Sequence, residues 1–210
     1  SCATCHNPSF NWTDGNALGA GDFHKPLPRK DPSILNLAWD ELFFWDGRAD
    51  SLEKQALMPI ESEGEMNMKP EEAAKRLKAI KEYLAMFQSA FPGEQDPIKP
   101  ENMAKALAAF ERTVVSSEAP FDRWIDGNED AIAEDAKHGF VLFNKKANCA
   151  VCHSSWRFSD GSFHDIGLND KDIGRGKFVP LSTMQHAFKT MGLRNIDRRA
   201  PYMHNGSQAT

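Results

Sequence analysis

The chain has 210 residues, 40% of them hydrophobic, and a net charge of −5. That length permits two small domains or one medium one, and that apolar fraction permits a packed core. The acidic balance argues against nucleic acid, whose recognition needs basic patches, and there is no apolar run of about 18 residues to span a membrane. Small molecules or proteins remain as partners.

The first element is Cys2-Ala3-Thr4-Cys5-His6, and it returns late in the chain as Cys149-Ala150-Val151-Cys152-His153. All four cysteines fall in these two motifs, so none is left for a disulfide. Cys-x-x-Cys-His is the pattern of c-type haem attachment. Two sulfurs on one turn can each form a thioether with a haem vinyl group, and the adjacent imidazole then lies against one haem face and ligates the iron. A zinc ribbon spaces its cysteine pairs by only about 15–20 residues and does not follow each with histidine. A thioredoxin-like site needs a βαβ context that neither motif has. Two covalent haem c groups are therefore expected, on Cys2 and Cys5 with His6 as iron ligand, and on Cys149 and Cys152 with His153. Such attachment takes place outside the bacterial cytoplasm, so a periplasmic location is expected. No signal peptide is visible. Ser1 directly precedes the first motif and the chain stops in a turn at Asn205-Gly206-Ser207, so both ends are expected to be truncated or disordered parts of a longer protein.

Residues 1–69 read as mostly irregular with short helices. Gly15, Gly19 and Gly21, then Pro26, Pro28 and Pro32, punctuate a long loop, and Ile34 to Trp45 is dense in apolar and aromatic side chains. Residues 70–91 read as one helix. Pro70 sits in its first turn with Glu71 and Glu72, and Ala73, Leu77, Ile80, Leu84, Phe87 and Phe91 recur on one face. Pro92-Gly93 ends it. Pro100 opens a second helix with Met103, Leu107, Phe110 and Val114 on one side, and Ser116 to Pro120 marks a break. Asn128 is placed to cap a third helix with Ile132, Ala136, Phe140 and Phe143 inward. Beyond His153 the chain is loop-like through Lys177, and no alternating strand pattern is present. The expected fold is mainly α: two cytochrome c-like haem-binding domains with long loops, at 1–118 and 119–210, sharing the haem motif but no longer repeat.

Two haems alone would make an electron carrier. More is suggested by Phe43-Phe44-Trp45-Asp46-Gly47-Arg48-Ala49, then Leu52-Glu53-Lys54-Gln55-Ala56, Pro59-Ile60, Glu65-Met66, and the late Leu193-Arg194-Asn195 and Ala200-Pro201-Tyr202-Met203-His204-Asn205-Gly206. With both haem motifs, this collinear set resembles the bacterial dihaem cytochrome c peroxidase and MauG family over nearly the whole chain. The resemblance implies that the first haem is the peroxide-reactive one and the second an electron-transfer haem. It makes Glu65 the distal acid/base, which would move a proton from the iron-bound to the leaving oxygen of peroxide. Read without the resemblance, Glu65 is one exposed acid in the run Glu61, Glu63, Glu65. Trp45 matches a tryptophan between the haems, otherwise a core aromatic. Gln55 and Pro59 match distal-pocket positions. Arg48 is open between a haem propionate and a local aspartate, Asp46 or Asp50. The sixth ligand of the second haem matches a segment beyond Thr210, with Met184, Met191 and Met203 as substitutes.

Departures from the family pattern are informative. A histidine that gates the first iron is matched by Asp22, with His24 two residues on, which implies a first iron open without prior reduction, as in MauG-like members. The family's calcium uses an asparagine side chain where this chain has Lys30, and carbonyls near Pro201-Tyr202-Met203-His204, beside Arg198 and Arg199. A lysine ammonium repels calcium and can replace its charge, so a conventional calcium site is expected to be absent; backbone carbonyls with waters are the alternative way to hold one. The functional expectation is a MauG-like enzyme. It reacts with hydrogen peroxide and oxidises a partner protein, at tryptophan, through a high-valent dihaem state. A conventional peroxidase fed by a small cytochrome c or cupredoxin is the alternative, and a non-enzymatic dihaem carrier the second.

Overall fold

The computed structural model describes residues 2–168 and 170–210. Its backbone forms two compact units, Ser1–Val114 with Asp197–Thr210, and Val115–Ile196. The sequence expectation cuts the chain once, at 118/119; the backbone also returns Asp197–Thr210 to the first unit. That return is fastened by the Lys30 N–H, which donates to the His204 carbonyl at 2.7 Å. Gly206 lies so close over the Ala17 carbonyl, at φ +63°, that any Cβ there would collide with it.

The first unit begins with one turn, α1 (Cys2–Cys5), and is otherwise looped until α2 (Leu52–Glu61). Ser51 caps α2 by accepting the Lys54 N–H at 3.2 Å. Pro59, inside α2, cannot donate to the Gln55 carbonyl. Where one helix is expected over 70–91, there are two, α3 (Pro70–Lys78) and α4 (Lys81–Ala90). The N–H groups of Ala79 and Ile80 bond three residues back, to Arg76 and Leu77, and Ile80 turns extended (φ −105°, ψ 112°). The break has a packing reason. Ile80 and Leu84 end exposed, while Leu77 from α3, Phe87 from α4 and Phe91 just past its end meet one core with Ile60, Ile98 and Met103.

Helix α5 (Pro100–Thr113) starts at Pro100 as expected. Its buried face is Asn102, Met103, Ala104 and Ala108 rather than a line running through Phe110. Ala108 joins Phe43, Ala49 and Leu52 in a second core, where small side chains let α5 approach α2. Phe110 is half-exposed and meets Trp12 edge-on, centroids 6.1 Å apart.

In the second unit, α6 (Pro120–Ile125) follows the expected break, which is non-helical over 114–119, and α7 (Glu134–Asn144) starts later than expected. Asn128 caps only the short turn Glu129–Ala131, accepting from the Asp130 N–H at 3.2 Å, and Ile132 follows it extended. Phe140 from α7 packs on Phe121 and Trp124 of α6, and Phe143 on Phe158. The only strands among the described residues are β1 (Phe163–His164) and β2 (Phe188–Lys189), an antiparallel pair. The fold is helix-rich with little sheet, and no helix is long and apolar enough to cross a membrane.

Candidate functional site

The two cysteine motifs adopt one geometry. The His6 N–H donates to the Cys2 carbonyl at 2.8 Å, and the His153 N–H to the Cys149 carbonyl at 2.9 Å, so each motif closes into a single turn. The His6 Nδ1 donates to the Trp12 carbonyl at 3.1 Å, and the His153 Nδ1 to the Phe158 carbonyl at 2.9 Å. A carbonyl only accepts, so Nδ1 carries the proton in both and Nε2 keeps its lone pair for a metal. Metal-ligating histidines are held in this way. Burial keeps the His6 imidazole below its ordinary pKa, against the Trp12 carbonyl and the nearby Glu65 charge, and so neutral.

The likeness extends past the motifs, contrary to the expectation of no longer repeat. Trp12-Thr13-Asp14-Gly15 corresponds to Phe158-Ser159-Asp160-Gly161. Trp12 and Phe158 both take the left-handed backbone, φ +62° and +57°, to aim their carbonyls at the imidazoles. The hydroxyls of Thr13 and Ser159 are buried and accept from the N–H groups of Gly15 and Gly161, at 3.2 and 3.0 Å. Asp14 and Asp160 each accept a backbone N–H two residues on, both at 2.9 Å. The signal was present in sequence as aromatic-Ser/Thr-Asp-Gly after each motif. One inserted residue in the first loop, and the exchange of Trp for Phe, obscured it.

In the first unit, the chain leaving α2 curls back on itself. The N–H of Glu65 donates to the Ser62 carbonyl at 3.0 Å, and that of Met66 to the Pro59 carbonyl at 3.1 Å. Glu61 and Glu63 are exposed, while Glu65 is half-buried, and its charge acts on His6, Cys5 and Asp31. Burial, helped by Asp31, Asp14 and Glu65, pushes the Cys5 thiol up to about 12. The Gln55 Oε1 is buried with no hydrogen-bond partner in the protein. Asp22 is tied to this loop through its N–H, which donates to the Gly64 carbonyl at 2.8 Å. His24 is exposed.

Trp45 is half-buried and donates from Nε1 to the Lys30 carbonyl at 2.9 Å. Its ring meets the His204 ring edge-on, 6.3 Å between centroids. Arg48 donates from Nη1 to both carboxylate oxygens of Asp46 at 3.0 Å, while its guanidinium stacks 3.5 Å over Phe44. Asp50 pairs instead with Lys54.

The second unit supplies a test of whether the residues fit a haem. Among its described residues, Ala187 is the only buried apolar side chain, whereas Val141, Leu142, Val151, Ile173, Phe178 and Leu181 are exposed. A unit of this size normally buries several large apolar residues. Exposed apolar side chains and an Nδ1-anchored histidine fit a large apolar group held at Cys149 and Cys152. Cys152, Asp160 and His164 also stand close together, but Cys152 belongs to the haem motif and His164 pairs with Asp160 at 2.7 Å.

A family model described as di-haem cytochrome c peroxidase matches residues 1–130. The chain is similar to the methylamine utilization protein MauG of Methylorubrum extorquens, 56% identical over 98% of this chain and 59% of the relative. It is 50% identical to the protein of that name from Methylophilus methylotrophus, over 99% of this chain and 62% of the relative. The chain thus spans about three fifths of the length of these curated relatives. Among solved structures, a MauG-like protein associated with microbial copper homeostasis superposes with a TM-score of 0.92 at 30% identity, over 100% of this chain and 67% of that one.

Proposed function

This chain belongs to the di-haem cytochrome c peroxidase family, and from that premise we propose that it works as a MauG-like enzyme. Haem c is held covalently by Cys2 and Cys5 with His6 as ligand, and by Cys149 and Cys152 with His153, one group in each unit. When bound, the haems supply iron that reacts with hydrogen peroxide and passes oxidising equivalents to a partner protein. The remaining work falls to the chain. His6 and His153 present Nε2 because the Trp12 and Phe158 carbonyls hold Nδ1. Glu65 holds and returns the proton that peroxide cleavage needs. Gln55 offers a buried, unpaired amide oxygen to the distal side, and Pro59 shapes the turn that carries Glu65 by accepting the Met66 N–H. The indole of Trp45, fixed by the Lys30 carbonyl, is held in one orientation suited to relaying charge.

The observation that carries this reading is the half-buried Glu65 carboxylate, in electrostatic reach of His6 and Cys5. Identity of about half with the MauG relatives supports a MauG-like role; we read the substrate as a partner protein oxidised at tryptophan and, from c-type attachment, the location as the periplasm. In the full-length holoprotein, Glu65→Gln should slow the reaction with hydrogen peroxide by about 10²–10⁴-fold, the usual weight of general acid/base help, at unchanged haem content. An unchanged rate would remove Glu65 from the mechanism.

A further inference from the structure

The calcium ion that the family resemblance implies does not fit the residues present. Lys30 stands where the ligating asparagine is expected, and it is only 5% exposed. Its Nζ donates to the Asn16 carbonyl at 2.6 Å, an oxygen of the kind a calcium ion would take. Its N–H donates to the His204 carbonyl at 2.7 Å, and its own carbonyl accepts the Trp45 indole at 2.9 Å. The charge of Arg199 also acts on Lys30, and the carboxylates of Asp14 and Asp31 lie within electrostatic reach of the ammonium. Calcium needs about six to eight oxygen ligands and tolerates no ammonium among them.

We infer that the built-in ammonium of Lys30 takes the place of a bound divalent ion in fastening Asp197–Thr210 to the loops that hold Asn16 and Trp45. Lys30 is a positioning residue: through its carbonyl it orients Trp45, and through its N–H it orients His204. The inference rests on the family membership but not on the peroxide chemistry, so its test does not read turnover.

The full-length holoprotein is dialysed against EGTA or against calcium chloride. Bound calcium is measured by atomic emission, and thermal melts and ferric EPR spectra are recorded. The expected result is no calcium above background, with melting temperature and spectrum identical in the two buffers. Lys30→Asn should melt about 4–10 °C lower in EGTA and recover on addition of calcium, because the substitution supplies an amide oxygen and removes the repelling charge. A purely structural role for Lys30 would lower stability without creating calcium dependence, and that result would overturn the inference. Stoichiometric calcium in the unaltered protein, or an EGTA-induced fall in its melting temperature, would overturn it without recourse to any variant.

Discussion

The Nδ1 of His153 donates to the carbonyl of Phe158 at 2.9 Å, and Phe158 adopts φ +57° to present that carbonyl. A non-glycine residue in the left-handed region is uncommon and is retained where its surroundings over-determine it. Here the surroundings include Ser159, whose hydroxyl donates to the Thr190 carbonyl at 2.6 Å and accepts the Gly161 N–H at 3.0 Å. Ser159→Ala should leave both groups unpaired and cost about 1–3 kcal/mol in the holoprotein. Thr13→Val, at the corresponding place in the first loop, should cost a similar amount. Chemical denaturation at matched haem content checks both. Two neutral results would mean that the repeated hydroxyls do not brace the loops.

Glu111, near the end of α5, is a buried carboxyl with one unpartnered oxygen, Oε2. Burial pushes its pKa from 4.5 up to about 7, against the neighbouring Arg112. The folded state therefore binds this proton more tightly than the unfolded state. Its contribution to stability is complete below pH 4.5 and is lost as pH rises through about 7. Glu111→Gln should remove that loss, so the variant should gain on its parent between pH 5 and about 7.5 and hold the gain above. Melts across that range check it; a constant offset at every pH would show that Glu111 does not titrate there.

Asp22 stands where the family resemblance expects a gating histidine, and its N–H is tied to the Gly64 carbonyl beside Glu65 at 2.8 Å. Asp22→His should restore a ligand to the first iron. We expect a conversion of the as-isolated ferric protein toward low spin, and a peroxide reaction that is slow until one haem is reduced. An unchanged spectrum would mean that the loop cannot bring residue 22 to the iron.

The legible part of the molecule was its chemistry-bearing sequence. Cys-x-x-Cys-His defines each loop by covalent geometry, and the structure repeats that geometry in both. Proline starts, as at Pro70 and Pro100, located helix beginnings because proline at the first helical turn costs no hydrogen bond. The break at Ala79-Ile80 was hidden because its apolar spacing matches a continuous helix, and only the final core decides that Ile80 faces solvent. The inward line through Phe110 failed for a related reason: the close approach of α2 and α5 favours the alanine face, Ala104 and Ala108. Asn128 looks like a helix cap because it is one, for a single turn only. The return of Asp197–Thr210 to the first unit had no local signal, since it depends on hydrogen bonds between residues as distant as Lys30 and His204. Gln55 could be picked out by resemblance alone; its burial without a partner is a structural fact.

The most direct test of the proposed function is low-temperature EPR with optical spectra on the full-length, fully ferric protein, before and after one equivalent of hydrogen peroxide. The account predicts a high-spin first haem as isolated, whose signal disappears on adding peroxide with no prior reduction. Two low-spin haems that ignore peroxide until half-reduced would contradict it and make the protein a conventional peroxidase; indifference even then would leave an electron carrier.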